Sequence, residues 1–115
     1  EGFFAYDPQM GAWDADLPQL PQSPQAALVG VYKNEIWVMG GSRLRTSHRY
    51  NPAHRQWLAA PSLPTDQSWG AAHTLGERLI IAGGAHWDEF HQAYIYEDRV
   101  FALRQDVALP AEPAE

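Results

Sequence analysis

The sequence predicts an all-β chain of repeated four-stranded sheets, and three observations predict it. The block Ile36-Trp37-Val38-Met39-Gly40-Gly41 returns 43 positions later as Leu79-Ile80-Ile81-Ala82-Gly83-Gly84. Tyr6-Asp7-Pro8, with Trp13 five residues past the proline, returns 44 positions on as Tyr50-Asn51-Pro52 with Trp57 five past the proline. Helical periodicity is missing: wherever apolar residues recur at i, i+3, i+4 and i+7, a Pro or Gly interrupts them. Short apolar runs bounded by turn residues stand in its place, the pattern of buried strands. A repeat of this length marks a unit that cannot bury both faces alone and does so by stacking on its neighbours.

The elements follow in order. Phe3 to Asp7 reads as a strand, Pro8 to Gly11 as a turn and Ala12 to Ala15 as a return strand carrying Trp13. Leu17 to Pro24 holds three prolines and reads as a connector. The second unit has a small-residue strand over Gln25 to Val31, a turn at Lys33-Asn34 and a strand over Glu35 to Met39 closed by Gly40-Gly41. A loop over Ser42 to Ser47 leads to strands at His48 to Asn51 and Gln56 to Ala59, and Pro61 to Pro64 connects onward. The third unit repeats this from Trp69 to Thr74 and Arg78 to Ala82. A long loop is then expected from Ala85 to Asp98. A strand over Arg99 to Leu103 places Phe101 where tyrosine stood. Arg104-Gln105-Asp106 reads as a turn, Val107-Ala108-Leu109 as a degenerate last strand and Ala111 to Glu115 as a frayed tail.

Double glycine, then Tyr-Asp/Asn-Pro, then Trp at fixed spacing resembles the kelch repeat of β-propellers. Gly40, Gly41, Tyr50 and Trp57 carry the motif, with Gly83 and Gly84 in the next unit and Tyr6 and Trp13 in the first. The resemblance implies an all-β, kelch-type propeller segment of about two and a half blades: a half blade over 1–17, one blade over 25–60 and another over 68–109. In such blades the small-residue strand is innermost, and the Tyr and Trp rings fill the space between adjacent sheets. Known propellers close with more blades, so the chain reads as part of a longer protein, as a processed chain, or as one that self-associates.

Composition narrows the function. Cysteine is absent, which removes disulfides and thiolate metal sites. It also removes the thioether-linked cysteine of kelch-type copper oxidases. No apolar run approaches the roughly 20 residues of a membrane helix, and the opening residues do not read as a basic-then-apolar leader. A net charge of −6 disfavours nucleic acid. No phosphate-binding Gly-Lys-Ser/Thr loop or Gly-x-Ser-x-Gly elbow occurs; no cofactor is expected, and the residues lean against an enzyme while leaving that question open.

The charge distribution says more than its sum. No acid lies between Glu35 and Asp66, whereas Arg43, Arg45, Arg49, Arg55, His48 and His54 do. These read as solvated edge arginines or as a patch for an anionic partner. In an up-down-up-down sheet the loop after the second strand and the connector after the fourth emerge on one side. That side collects Arg43, Arg45, Trp69, His86 and Trp87, and the resemblance implies that such a side binds protein or peptide. Arginine offers a rigid fork for carboxylates and tryptophan a flat contact surface. His86, Asp88, Glu89 and His91 are metal-ligand types, but loop spacing gives no geometry, so no metal is expected. Kelch-like sialic acid mutarotases supply an alternative, a carbohydrate-active enzyme working by proton transfer at the propeller mouth.

Overall fold

The computed structural model describes residues 3–22, 24–96 and 98–103. The expected turn at 104–106, last strand at 107–109 and tail at 111–115 lie outside them. Eleven strands are present among the described residues: β1 (Ala5–Asp7), β2 (Ala12–Asp14), β3 (Leu28–Tyr32), β4 (Glu35–Met39), β5 (Ser47–Asn51), β6 (Gln56–Ala60), β7 (Ala71–Leu75), β8 (Arg78–Ala82), β9 (Ala85–Asp88), β10 (Ala93–Tyr96) and β11 (Val100–Ala102). β3-β4-β5-β6 form one four-stranded antiparallel meander. A second sheet is ordered β11-β8-β7, and β1-β2 and β9-β10 are two-stranded hairpins. The chain is all-β, and its meanders follow the repeat.

Strand alternation decides what packs. On β3 and β4, Leu28, Tyr32, Trp37 and Met39 face the next sheet, where they meet Ala72, Leu79 and Ile81; Leu63 of the connector joins this core. The innermost strands approach closely. A Cβ on Gly30 would sit 3.2 Å from that of Ala72, which is why small residues line this edge. Thr74 bonds through its hydroxyl to the Val31 carbonyl, and Tyr32 donates to the Glu77 carbonyl at 3.1 Å.

The residue after each double glycine is tied to the segment before the first strand of its own unit in the same way. Ser42 N donates to Gln25 O and Ala85 N to Ser68 O, both at 2.8 Å and 43 positions apart. Gly40 has φ +65°, and a Cβ there would lie 2.7 Å from both the Gln67 carbonyl and the Leu63 side chain. Only glycine satisfies both demands. Residues 25–27 and 68–70 serve this lock, with Ala26 and Trp69 both at φ +59°. The small-residue strands therefore begin later than expected, at Leu28 and Ala71.

Three further expectations are corrected. Arg49 is not a solvated edge residue. Its guanidinium is buried in the sheet interface, 2.9 Å from both Glu35 oxygens and 3.0 Å from the Ala59 carbonyl. The strand pattern puts Arg49 on the inward face, where it needs that carboxylate. Ala85–Asp98 is not a loop: β9 and β10 pair there in register. Phe101 does not stand at the tyrosine position. It pairs with Ile81, as His48 pairs with Val38, and Leu103, bonded through its N–H to Leu79 O, takes the place that Tyr50 takes opposite Ile36.

The aromatic hairpin occurs three times. Tyr6 pairs with Trp13, Tyr50 with Trp57 and Trp87 with Tyr94, always seven residues apart. Asp7, Asn51 and Asp88 each accept backbone N–H groups two and three residues on, and Gly11, Arg55 and Gln92 each close the turn at positive φ. The first two copies sit as outer strands of their units. The third has left its sheet, and β11 pairs with β8 in its stead.

Candidate binding rim

The third hairpin turns the loop side of the sheets into a built surface. Trp87 N–H donates to Asp66 Oδ2 at 2.7 Å, anchoring β9 to the connector. Tyr94 of β10 hydrogen-bonds through its hydroxyl to Ser42, beside the first double glycine. Its ring meets Trp87 at 5.0 Å and Trp69 at 5.2 Å, both edge-to-face. The Arg43 guanidinium lies 3.9 Å from the Trp87 ring centroid, a cation–π stack. Arg43 is held at φ +61° and Trp69 at φ +59°, so backbone geometry aims both residues. Trp69 remains 62 % exposed.

Of the residues singled out in the sequence, Arg43, Trp69 and Trp87 come together in this cluster through Tyr94. His86 is half-buried on β9 next to Trp87. Arg45 turns toward the connector, donating through Nε to the Leu63 carbonyl at 2.9 Å, while Leu63 N–H donates to the Arg45 carbonyl. Arg55 reaches back to Asp14 at 3.7 Å and to the Asp16 carbonyl, far from the rim in sequence terms and tied to the first hairpin. The four arginines of the acid-free stretch thus serve four different purposes.

Tyr94, Ser42 and Asp66 belong to the rim and were not singled out in the sequence. The seven-residue aromatic spacing of Trp87 and Tyr94, with Asp88 after the first ring, is the signal that finds the hairpin. Reversed order of the two rings and the lack of proline hide it. At the hairpin turn, the hydrogen bond from His91 holds the Asp88 carboxyl below its ordinary value, helped by the His91 and Phe90 backbone N–H groups. Among the described residues, no group of three or more His, Cys, Asp or Glu side chains is placed to hold a metal ion. Among them, too, no helix is long and apolar enough to cross a membrane.

No family model matches the chain. Over 85 residues, 71 % of its length, the chain is 31 % identical to Kelch domain-containing protein 7A of Mus musculus, and it spans 11 % of that relative. Among solved structures, YjhT, a kelch-type propeller protein, matches 96 % of the chain with a TM-score of 0.71 at 14 % identity. The chain spans 38 % of that structure. At that identity the likeness shows the fold, and it does not favour the carbohydrate-active reading.

Proposed function

This chain belongs to the kelch-repeat β-propeller family, and we propose that it is a binding module that holds a protein or peptide partner on the rim built by Arg43, Trp69, Trp87 and Tyr94. The observation that supports this reading is the Arg43 stack on Trp87 within a continuous line of three rings. Stacking fixes the plane of the guanidinium before any partner arrives, so less side-chain freedom is lost on binding. The partner that matches is an extended segment with a carboxylate for Arg43 and an apolar or aromatic side chain for the exposed Trp69 face. Arg45 and His86 flank the same side. The units 1–17, 25–60 and 68–109 act in this reading as blades, with others supplied by a longer chain or by further copies.

Titration with a random glutamate–tyrosine copolymer tests it. Replacing Arg43 and Arg45 together by alanine should weaken binding at least tenfold, since a charge-assisted hydrogen bond contributes about 1.5–3 kcal/mol. The denaturation midpoint should fall only modestly: both side chains are exposed, and what is lost is the Arg45 bond to the Leu63 carbonyl and the Arg43 stack on Trp87. Unchanged affinity in the folded double variant would remove this rim from consideration.

A further inference from the structure

Main-chain bonding across β9 fixes which groups of β10 face outward. Ala85 gives its N–H to the Ser68 carbonyl at 2.8 Å and accepts the Ser68 N–H on its own carbonyl at 2.9 Å. Both of its main-chain groups therefore point away from β10, and its pairing with Tyr96 is a non-hydrogen-bonded one. Alternation makes His86 and Ile95 a bonded pair and Trp87 and Tyr94 again a non-bonded one. The Trp87 N–H agrees, since it leaves the hairpin for Asp66. Tyr94 and Tyr96 thus turn N–H and C=O toward the outer edge of β10. No strand pairs there, and these groups have no partner among the described residues. In the second hairpin Ala59 holds the place of Tyr96, and there the Arg49 guanidinium takes the outer carbonyl at 3.0 Å. The described chain ends at Leu103, which bonds to Leu79 at the end of β8 away from Gly83 and the rim.

We propose, taking the rim as the binding surface, that the open edge of β10 receives the partner's backbone as an added strand. Three observations carry this. Outward N–H and C=O groups on alternate residues match the main chain of an extended peptide. Ala93-Tyr94-Ile95-Tyr96 is β-prone and holds no charge and no proline, the residues that ordinarily blunt an exposed edge. The edge is continuous with the rim, since the Tyr94 ring meets Trp69 and Trp87 and Arg43 stacks on Trp87. An added strand lays alternate side chains on the face that carries Tyr94 and Tyr96, and Tyr96, 90 % exposed, leaves that face open at its end. The occupant is an extended peptide with aromatic or apolar residues at alternate positions and an acidic residue beside them for Arg43.

The test is titration of the full chain with capped Glu-Tyr-Thr-Tyr-Glu and two backbone N-methylated forms of it. One form is methylated at both tyrosines, the other at the threonine and both glutamates. One of them should lose about tenfold or more in affinity, because its methyls replace the donors that face β10, and the other should bind like the plain peptide. Tyr96→Pro removes an N–H that β9 does not use, so the hairpin stays paired. It should weaken the plain peptide by a similar factor relative to Tyr96→Ala. In the free chain the Tyr94 and Tyr96 amides should exchange fast with solvent, and the plain peptide should slow them. If the two methylated forms behave alike while joint replacement of Arg43 and Arg45 by alanine weakens the plain peptide, the rim stands and the added strand falls. If the plain peptide does not bind, neither the rim nor the edge is its site. Slow exchange of both amides in the free chain would also overturn the proposal, because this chain or a second copy then already covers the edge.

Discussion

The two faces of the four-stranded sheet make the most instructive comparison in this molecule. One face carries Tyr50 and Trp57 and is sealed by Phe3, with the Trp57 indole N–H donating to the Pro18 carbonyl at 3.0 Å. The other carries Trp37, Met39 and the Glu35–Arg49 pair, and it meets a sheet whose outer positions hold Phe101 and Leu103. The first space holds three rings in contact, and the second, among the described residues, keeps a groove. The same repeat built both. The difference lies in where the aromatic hairpin went: inside as β5-β6, or out to the rim as β9-β10. Displacing one hairpin gives the chain a surface cluster and leaves, among the described residues, a groove between the outer strands.

The largest effect should come from the filled side. Trp57→Ala removes a 4 % exposed indole and its hydrogen bond, and should cost about 3–5 kcal/mol in urea unfolding. An unchanged midpoint would break the comparison at its stronger half. Next comes the polar part of the other face. Glu35→Ala leaves the buried Arg49 without that carboxylate and should cost about 3 kcal/mol, whereas replacing both residues with apolar side chains of similar volume should recover most of the loss. If the double variant is as damaged as the single, the pair contributes more than mutual compensation.

Trp13 sharpens the comparison from outside. It holds the same motif position as Trp57 yet is 68 % exposed, because no sheet of the described residues covers it. Trp13→Ala should shift stability by no more than about 0.5 kcal/mol in this chain. The smallest effect concerns His48, which shares the Tyr50 face and whose pKa burial lowers. Since the unfolded imidazole titrates near the ordinary 6.5, the contribution of neutral His48 is complete above that value. It is lost as pH falls through 6.5 toward the lower folded value. His48→Gln should therefore flatten the fall in urea midpoint between about pH 7.5 and 5.5.

Much of the fold was legible in the sequence because the repeat constrains many residues at once. The glycine pairs, the Tyr50–Trp57 pair and the β3–β6 meander all stand where periodicity put them. The third unit misled for a physical reason. Phe101 lies near the expected tyrosine spacing, and its strand does pair with β8, but two residues out of register with the motif. Meanwhile Trp87-Asp88 and Tyr94 carry the hairpin chemistry without proline and in reversed aromatic order. Arg49 could not be told from its solvated neighbours by composition, since only strand parity turns it inward to Glu35. At the rim, Arg43, Trp69 and Trp87 were visible as types, whereas Tyr94 and Ser42 became partners only through the displaced hairpin.

Among the described residues, the outer space between the second and third sheets has Leu103 at the position Tyr50 holds in the unit before, and the third aromatic pair lies on the rim. Reciprocal exchange at the equivalent positions tests that most directly, by urea unfolding of Tyr50→Leu and Leu103→Tyr. Tyr50→Leu should lose about 1–3 kcal/mol, as truncation in a filled core does. Leu103→Tyr should gain about 0.5–2 kcal/mol, as cavity filling commonly does. If Leu103→Tyr instead loses about 1–3 kcal/mol, the mark of overpacking, the space beside Leu103 is already occupied and the displaced hairpin has left no gap.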